Sequence, residues 1–266
     1  MTRPEEANIF RRSAATFFRS CKRVFRPSRA TVSQPLIPPQ RVFWLCLAIV
    51  IVLTTWSFAM HDAGVIRWKR QALQTDGAFV TLFQYITLTG TSGWILVITA
   101  VIGLALSVSP WQNLPGPERR RRVNLYEDVN FIFFTVALSG IAANLIKNSI
   151  GRARPRLLEE LGPHHFNPGA FEPKFASFPS GHSTTSGAIA TALILLWPRY
   201  WPLWLLFGLL GGLSRIVVDA HYPSDVLAGL TFGGLFVLLT ARWLARRNVM
   251  FQLGVGWMPL RKRHRA

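Results

Sequence analysis

The chain alternates between long apolar runs and shorter polar or charged segments. Six apolar runs can be drawn, at residues 42–60, 92–108, 129–146, 181–197, 202–218 and 226–244. A membrane-spanning helix needs about 20 apolar residues, with a range of roughly 17–25. The first, third and sixth runs meet this comfortably, whereas the others are short or carry polar residues, such as Arg215 in the fifth. The pattern predicts an all-α, polytopic membrane protein with six transmembrane helices in a bundle.

The basic residues are distributed unevenly among the segments that connect these runs. If the N-terminus is cytoplasmic, the inner segments are 1–41, 109–128, 198–201 and 245–266, and together with Arg242 they hold 21 of the 30 Lys and Arg residues. Cytoplasmic loops of membrane proteins carry such an excess of positive charge. We therefore predict a multi-pass protein of a bacterial inner membrane, with both termini cytoplasmic and the other loops on the periplasmic or extracellular face.

Three regions follow from this topology: a basic cytoplasmic arm at 1–41, a six-helix membrane domain at 42–244 and a basic cytoplasmic tail at 245–266. The net charge of +18 would also suit a nucleic-acid-binding protein. Such a protein collects its basic residues on a polar surface patch, whereas here they fall mostly between apolar runs. We therefore expect no nucleic-acid partner, and we interpret the arm as a topology determinant and the first run as an uncleaved signal anchor.

Two stretches of the chain lie on the predicted outer face. Residues 61–91 contain an amphipathic pattern that suits a helix lying on the membrane. Residues 148–180 are rich in Pro, Gly and charge and are predicted to form a long outer loop. Loops of this length are usually functional, and we expect Phe166, Phe171 and Phe175 in this loop to influence which lipid headgroup is selected.

Three polar clusters, at residues 147–155, 179–182 and 214–225, fall on the same predicted face. They bring in Lys147, Arg154 and Arg215, and cations in or beside apolar helices are costly and therefore indicate function. Each cation alone is more simply explained as a side chain that snorkels from a helix end. Three together suit a phosphate dianion, whose oxygens an Arg guanidinium binds in a bidentate manner.

Backbone groups in the second cluster also suit an anion. Ser180 and Gly181 lie at the start of the fourth apolar run, so their N–H groups lie near a helix N-terminus, which attracts anions. Gly181 also allows the backbone to approach a ligand closely. Ser214 is open to two interpretations, since its hydroxyl could bond phosphate or the backbone of its own helix.

Two histidines supply groups that the cations lack. His221 precedes Asp225 by four residues, and Pro223 is well placed to begin the sixth helix. A carboxylate on one ring nitrogen of His221 would fix its tautomer and leave the other nitrogen free to attack phosphorus. His182 could donate a proton to the departing alkoxide and then activate water against a phosphohistidine. This chemistry needs no metal and no other cofactor.

Two further features carry weaker signals. His164 and His165 are adjacent in a loop without a carboxylate cluster, which makes a poor metal site. Asp219 lies two residues before His221 and could tune it, although a solvated loop carboxylate is the simpler interpretation.

The three clusters are similar to the three-part signature of the type 2 phosphatidic acid phosphatase superfamily. The signature consists of Lys-x6-Arg-Pro, Pro-Ser-Gly-His and Ser-Arg-x5-His-x3-Asp, and all 11 fixed positions and internal spacings agree over residues 147–225. The resemblance implies a six-helix membrane fold with an active site on the outer face, in a family whose members are typically metal-independent. By position it implies these roles: His221 as nucleophile, Asp225 as its orienting group, His182 as acid and base, and Lys147, Arg154, Ser180, Gly181 and Arg215 as phosphate ligands.

The expected activity is hydrolysis of a phosphomonoester or diphosphate of a membrane lipid through a phosphohistidine. Relatives act on phosphatidylglycerol phosphate, phosphatidic acid, undecaprenyl diphosphate or lipid A, and the sequence does not choose among these partners. One alternative is phosphotransfer to a lipid acceptor through the same intermediate. A non-enzymatic transporter or scaffold would be expected to have paired halves with broken helices, which the sequence lacks. A vanadate-binding peroxidase would share the site chemistry but not the six predicted spans.

Overall fold

The computed structural model describes residues 36–73, 77–109, 114–254 and 256–262. Within these ranges the helices are α1 (Arg41–Trp56), α2 (Asp62–Ala72), α3 (Ala78–Thr89), α4 (Ser92–Val108), α5 (Gly116–Ile150), α6 (Leu158–Leu161), α7 (Gly181–Leu196), α8 (Trp201–Val217) and α9 (Pro223–Arg246). A π-helical turn, Ser57–His61, joins α1 to α2, and 3-10 turns cover Pro155–Leu157, Pro173–Phe175 and Pro198–Tyr200. The chain is mostly helical, which agrees with the predicted class.

One element departs from the all-α prediction. Strands β1 (Phe251–Leu253) and β2 (Pro259–Arg261) pair as an antiparallel hairpin in the region that was predicted to be a basic tail. In register, Phe251 lies opposite Arg261 and Leu253 opposite Pro259. The described part of this region is therefore a folded element.

Five stretches of the described chain are long and apolar enough to cross a membrane: Arg41–Ala72, Ala78–Val108, Gly116–Ile150, Pro198–Val217 and Pro223–Arg246. They include five of the six predicted runs. The other run forms α7, which has only 16 residues and begins with a series of small polar side chains. Most residues of α7 are buried within the protein. A sixth spanning helix therefore stays a prediction.

Within residues 61–91 the structure describes α2 and α3. Val80 and Phe83 of α3 are buried and pack with Val217 of α8. Phe79 and Leu82 of α3 remain exposed. One face of α3, in the region whose amphipathic pattern predicts a helix lying on the membrane, thus packs against protein.

The first of two compact units comprises Arg41–Gly93 and Thr135–Val237, and it contains every residue of the predicted site. In this unit α7 packs against α8 and against the N-terminal half of α9, and glycines allow a very close approach. A Cβ at Gly187 would lie 2.3 Å from the carbonyl oxygen of Leu230, and one at Gly233 would lie 2.0 Å from that of Thr184. Because no side chain fits at these contacts, the start of α7 is held beside the start of α9.

The second unit contains Trp94–Phe134 and the two terminal segments. In it Arg261 of the hairpin binds Glu127 and Asp128 of α5, each at 2.9 Å. Arg242 of α9 donates to the carbonyl oxygens of Leu36 and Trp257. Of the predicted basic arm at 1–41, residues 1–35 lie outside the described part of the chain.

Candidate active site

Helix α7 begins at Gly181, and Ser180 is its N-cap residue. The Ser180 hydroxyl oxygen accepts hydrogen bonds from the backbone N–H of Ser183 at 3.4 Å and from its hydroxyl at 2.9 Å. The backbone N–H of Ser180 donates to the carbonyl oxygen of Asp225 at 3.0 Å. The N–H that we predicted to bind phosphate is thus occupied, and it ties α7 to α9 instead. The next two N–H groups, of Gly181 and His182, have no acceptor within the helix.

Three cations lie in the same unit as this helix start. Lys147, near the end of α5, has its Nζ 3.9 Å from the position that a Cβ on Gly181 would occupy. Arg154 donates one hydrogen bond to the carbonyl oxygen of Ala176, and Arg215 donates one to the hydroxyl of Thr87. The Nε atoms of both arginines are buried and have no partner.

These cations are not neutralised by ion pairs. Within the described ranges, none of Lys147, Arg154 and Arg215 forms a salt bridge. Burial, with a contribution from the neighbouring Arg156, lowers the pKa of Arg154. Unpaired buried donors are uncommon in folded proteins and call for a ligand, ion or water. An oxyanion beside these side chains would supply the missing acceptors.

His182 connects the cations to the second histidine. It is the second residue of α7, and it lies within electrostatic range of Lys147, Arg154, Arg215 and His221. The three sequence clusters predicted to converge are therefore brought together in one unit.

His221 occupies the short connection between α8 and α9, where only 2% of its surface is exposed. Its backbone N–H donates to the carbonyl oxygen of Arg215 at 3.2 Å. Burial lowers the pKa of His221 to about 4, with smaller lowering effects from Arg154 and Arg215, and these outweigh the Asp225 carboxylate, which raises it. The imidazole is therefore neutral at neutral pH, which is the form that can act as a nucleophile.

Asp225 lies in the first turn of α9, which begins at Pro223 as the sequence predicted. Its Oδ2 is 3.6 Å from Nδ1 of His221, slightly beyond hydrogen-bond distance. The same oxygen accepts from the hydroxyl of Ser177 at 2.6 Å and from the N–H of Tyr222 at 3.0 Å. The carboxylate is thus fixed in place with one edge toward the imidazole.

The groups behind this carboxylate are not predicted from the sequence. Arg152, fully buried, donates to Oδ1 of Asp225 at 2.6 Å and to Oδ2 of Asp62 at 2.8 Å. Asp62 is the first residue of α2. A signal was available, because Arg152 lies inside the first cluster and Asp62 lies two residues after the end of an apolar run. Charged residues among apolar helices are functional candidates.

Two open questions from the sequence are resolved by hydrogen bonds. The Ser214 hydroxyl donates to the carbonyl oxygen of Gly211 at 2.7 Å, so it bonds its own helix. Asp219 binds Lys69 at 3.2 Å and Arg70 at 2.8 Å. It is therefore an ion-paired carboxylate that attaches the α8–α9 connection to α2.

The loop within residues 148–180, which is predicted to lie on the outer face, is ordered by short turns and by contacts with the π-helical turn and with α2. His164 lies 2.7 Å from the carbonyl oxygen of Phe58 through its Nε2. In the described part of the chain, no group of three or more His, Cys, Asp or Glu side chains is arranged to hold a metal ion. Phe171 is 77% exposed and Phe166 41%, whereas Phe175 is buried, so only the first two remain available to contact a headgroup.

Comparison with known proteins places these features in a family context. Residues 128–249 match the family model described as the PAP2 superfamily. A lipid A 1-phosphatase of Rhizobium etli is 39% identical over 229 residues, which cover 85% of this chain and 95% of the relative. One from Rhizobium johnstonii is 37% identical, with coverage of 85% and 91%.

Other matches are shorter or more distant. Undecaprenyl-diphosphatase BcrC of Bacillus subtilis is 52% identical over 58 residues, which cover 21% of this chain and 28% of the relative. The crystal structure of a PAP2 type phosphatidylglycerolphosphate phosphatase from Bacillus subtilis has a TM-score of 0.50 at 19% identity, covering 73% of this chain and 92% of that one. At that identity the likeness concerns the fold alone.

Proposed function

Because this chain belongs to the PAP2 superfamily and is a membrane lipid phosphatase, we propose that it removes the 1-phosphate of lipid A. Two relatives named lipid A 1-phosphatase align with most of this chain and with nearly all of their own length. The resemblance therefore extends well beyond the three clusters, and in this proposal it includes the regions that contact the rest of the substrate. In this proposal the substrate is a phosphomonoester on a glycolipid.

The proposed reaction proceeds in two steps through His221. In the first, Nε2 of His221 attacks phosphorus, the bond from phosphorus to the sugar oxygen breaks, and His182 gives a proton to the departing oxygen. In the second, His182 takes a proton from water, the hydroxide attacks phosphorus, and the phosphorus–nitrogen bond breaks to release inorganic phosphate. Positive charge develops on the imidazole in the first step, and the Asp225 carboxylate at 3.6 Å supports this mechanism because it stabilises that charge.

The observation that carries the proposal is the group of unpaired cations beside the two histidines. Lys147, Arg154 and Arg215 would hold the phosphate oxygens and stabilise the charge that builds on them in the transition state. The N–H groups of Gly181 and His182 at the start of α7 would add backbone donors. These residues fill every role in the two steps, so the scheme requires no metal or cofactor.

The proposed topology has six spans, with α7 as the fourth, and places the site on the periplasmic face of the inner membrane. Support comes from the basic residues, most of which fall on the opposite side in this arrangement. The test replaces the native Cys21 and Cys46 by Ser and labels single cysteines in intact cells with an impermeant thiol reagent. Asn167→Cys should be labelled and Arg199→Cys should not, and the reverse pattern would exclude an outer-face site.

The substrate assignment is tested with purified protein and a panel of lipids. Lipid A, phosphatidylglycerol phosphate, phosphatidic acid and undecaprenyl diphosphate are incubated with enzyme in the presence of EDTA, and free phosphate is measured. Lipid A should be the preferred substrate, and tandem mass spectrometry should place the loss at position 1. The His221→Ala variant is the control. Preference for another lipid, or loss of the phosphate on the distal sugar, would refute the assignment.

Undecaprenyl diphosphate is the second candidate, favoured by the 52% identity to an undecaprenyl-diphosphatase over 58 residues. Transfer of the phosphate to a lipid acceptor remains a further alternative for the same intermediate. It is distinguished by a labelled donor, since hydrolysis releases the label as inorganic phosphate and transfer leaves it in the lipid fraction.

A further inference from the structure

A buried charge cluster lies behind His221, formed by Asp62, Arg152 and Asp225, which we call the buried triad. Their side chains are completely buried. One guanidinium nitrogen of Arg152, Nη1, is 2.6 Å from Oδ1 of Asp225. The other, Nη2, is 2.8 Å from Oδ2 of Asp62. Arg152 thus joins the orienting carboxylate of Asp225 to the carboxylate of Asp62, which lies 90 residues before Arg152 in the sequence.

The second carboxylate has a full set of donors. Oδ1 of Asp62 accepts from the hydroxyl of Ser57 at 2.9 Å and from the N–H of Ser224 at 3.0 Å. Oδ2 also accepts from the Ser224 hydroxyl. Ser57 begins the π-helical turn that precedes α2, and π-helical turns are rare and frequent at functional sites. The π-helical turn thus lies directly before Asp62, whose carboxylate contacts Ser224 at the start of α9.

Arg152 is held with equal firmness. Its guanidinium carbon lies 4.7 Å from the ring centroid of Phe58 and 4.4 Å from that of Tyr222. The carbonyl oxygen of Pro163 accepts from its Nε at 3.2 Å and from its Nη2 at 3.0 Å. With both ring contacts and these bonds in place, the side chain has a single orientation.

Such a cluster is not explained by stability alone. Buried ion pairs can often be replaced by apolar side chains without loss of stability, because the cost of desolvating the charges offsets their attraction. The one feature of the buried triad that faces reacting groups is Oδ2 of Asp225. The other contacts of the Asp225 carboxylate hold that oxygen in place.

We propose that Arg152 and Asp62 are positioning residues for the histidine nucleophile. Arg152 binds Oδ1 of Asp225, which keeps Oδ2 directed at Nδ1 of His221. Asp62 holds Arg152 in place and balances its charge, so that Asp225 keeps its negative field at the imidazole. This inference rests on the proposed function, since it assigns the residues to the step in which His221 attacks phosphorus.

The charges around His221 determine the sign of each effect. His182, Arg154 and Arg215 disfavour the protonated imidazole from the phosphate side, whereas Asp225 of the buried triad favours it. The hydroxyl of Tyr222 interacts electrostatically with all three members of the triad. Removal of the positive charge of Arg152 favours the protonated imidazole, and removal of the negative charge of Asp62 disfavours it. The two substitutions therefore act on the protonation of His221 in opposite directions.

The test measures kcat, KM and the pH profile of kcat/KM for Arg152→Gln and Asp62→Asn. We expect kcat to fall by about 10–100-fold in each, by analogy with the loss of groups that orient metal ligands through hydrogen bonds. KM should change little, because the phosphate ligands are intact. In Arg152→Gln the acidic limb of kcat/KM should move to higher pH, by on the order of one unit. In Asp62→Asn the acidic limb should not move to higher pH.

Controls separate positioning from general damage. Arg261→Gln removes another buried arginine that binds two carboxylates, so it should lower thermal stability while the folded protein keeps the wild-type kcat and pH profile. Arg152→Lys, which retains the charge, should recover part of kcat. Folding is checked by detergent size-exclusion chromatography and thermal unfolding.

The outcomes distinguish this inference from the proposed function. If wild-type protein releases no phosphate from any lipid, the proposed function fails. If the wild type is active and a folded Arg152→Gln keeps its kcat, or loses activity only through KM, the positioning role is refuted. Should Arg152→Gln not fold, Asp62→Asn decides, and a wild-type kcat in that variant overturns the inference.

Discussion

Replacement of Asp225 by Asn changes one atom of the site and should disable it. In the structure Oδ1 of Asp225 accepts from Arg152, and Oδ2 accepts from Ser177 and Tyr222 and faces His221. An asparagine amide has one oxygen and one NH2 group. Whichever way it is oriented, the NH2 group meets at least one donor where the carboxylate had an acceptor.

The expected effects follow from the two possible orientations. If the NH2 group faces His221, Nδ1 becomes an acceptor and Nε2 keeps its proton, so the imidazole has the wrong tautomer for attack. In a serine-protease triad the equivalent change lowers kcat by about 10⁴, which corresponds to about 5.5 kcal/mol in activation free energy. If it faces Arg152, a buried arginine loses one of its two carboxylates, and such losses cost about 3–5 kcal/mol of stability. Because Asp62 still binds Arg152, we expect the lower end of that range.

The assay measures both quantities on Asp225→Asn in detergent. Steady-state phosphate release gives kcat and KM, and thermal unfolding gives the change in stability. We expect kcat to fall by about 10³–10⁴ with a modest change in KM, in protein that remains folded. A folded variant within about tenfold of the wild-type kcat would refute the view that this carboxylate fixes the tautomer of His221.

Four further predictions concern the phosphate site. His221→Ala should abolish turnover without loss of expression, and measurable phosphate release by the folded variant would exclude His221 as the nucleophile. Lys147→Ala should raise KM and leave the melting temperature little changed, because the ammonium group lies beside Gly181 and makes no salt bridge in the described part of the chain. An unchanged KM would show that Lys147 is not a phosphate ligand. Because the pKa of His221 is lowered to about 4, the acidic limb of kcat/KM, corrected for substrate ionisation, should have its midpoint near pH 4, where this imidazole becomes protonated; a midpoint near the ordinary histidine value of about 6.5 would contradict its burial. Vanadate should inhibit competitively and EDTA should have no effect, and restoration of EDTA-treated enzyme by a divalent metal would contradict the metal-independent scheme.

The helical class and most residues of the candidate site could be predicted from the sequence because the relevant signals are local. The apolar runs mark the long helices, and Pro223 marks the start of α9. The positions of Lys147, Arg154, His182 and His221 follow from fixed spacings within short clusters. Each of these inferences needed only residues close together in the chain.

The features that the sequence missed depend on distant contacts. Asp62 and Arg152 are 90 residues apart, so nothing local pairs them. The burial of α7 arises from glycine contacts with α9, such as Gly233 against Thr184. Likewise, the bond from the Ser180 N–H to Asp225 exists only because the two helix starts meet. Tertiary packing also accounts for the hairpin at residues 251–261, where Arg261 is held by acids of α5.

The nucleophile can be identified directly by trapping the covalent intermediate. Enzyme mixed with substrate that carries radioactive phosphate is quenched in alkali within the first turnover, digested, and the labelled peptide is sequenced by mass spectrometry. The label should be stable in base and labile in acid, and it should reside on the ring of His221. Label on any other residue, or full phosphate release from a protein in which His221 never carries phosphate, would contradict the mechanism.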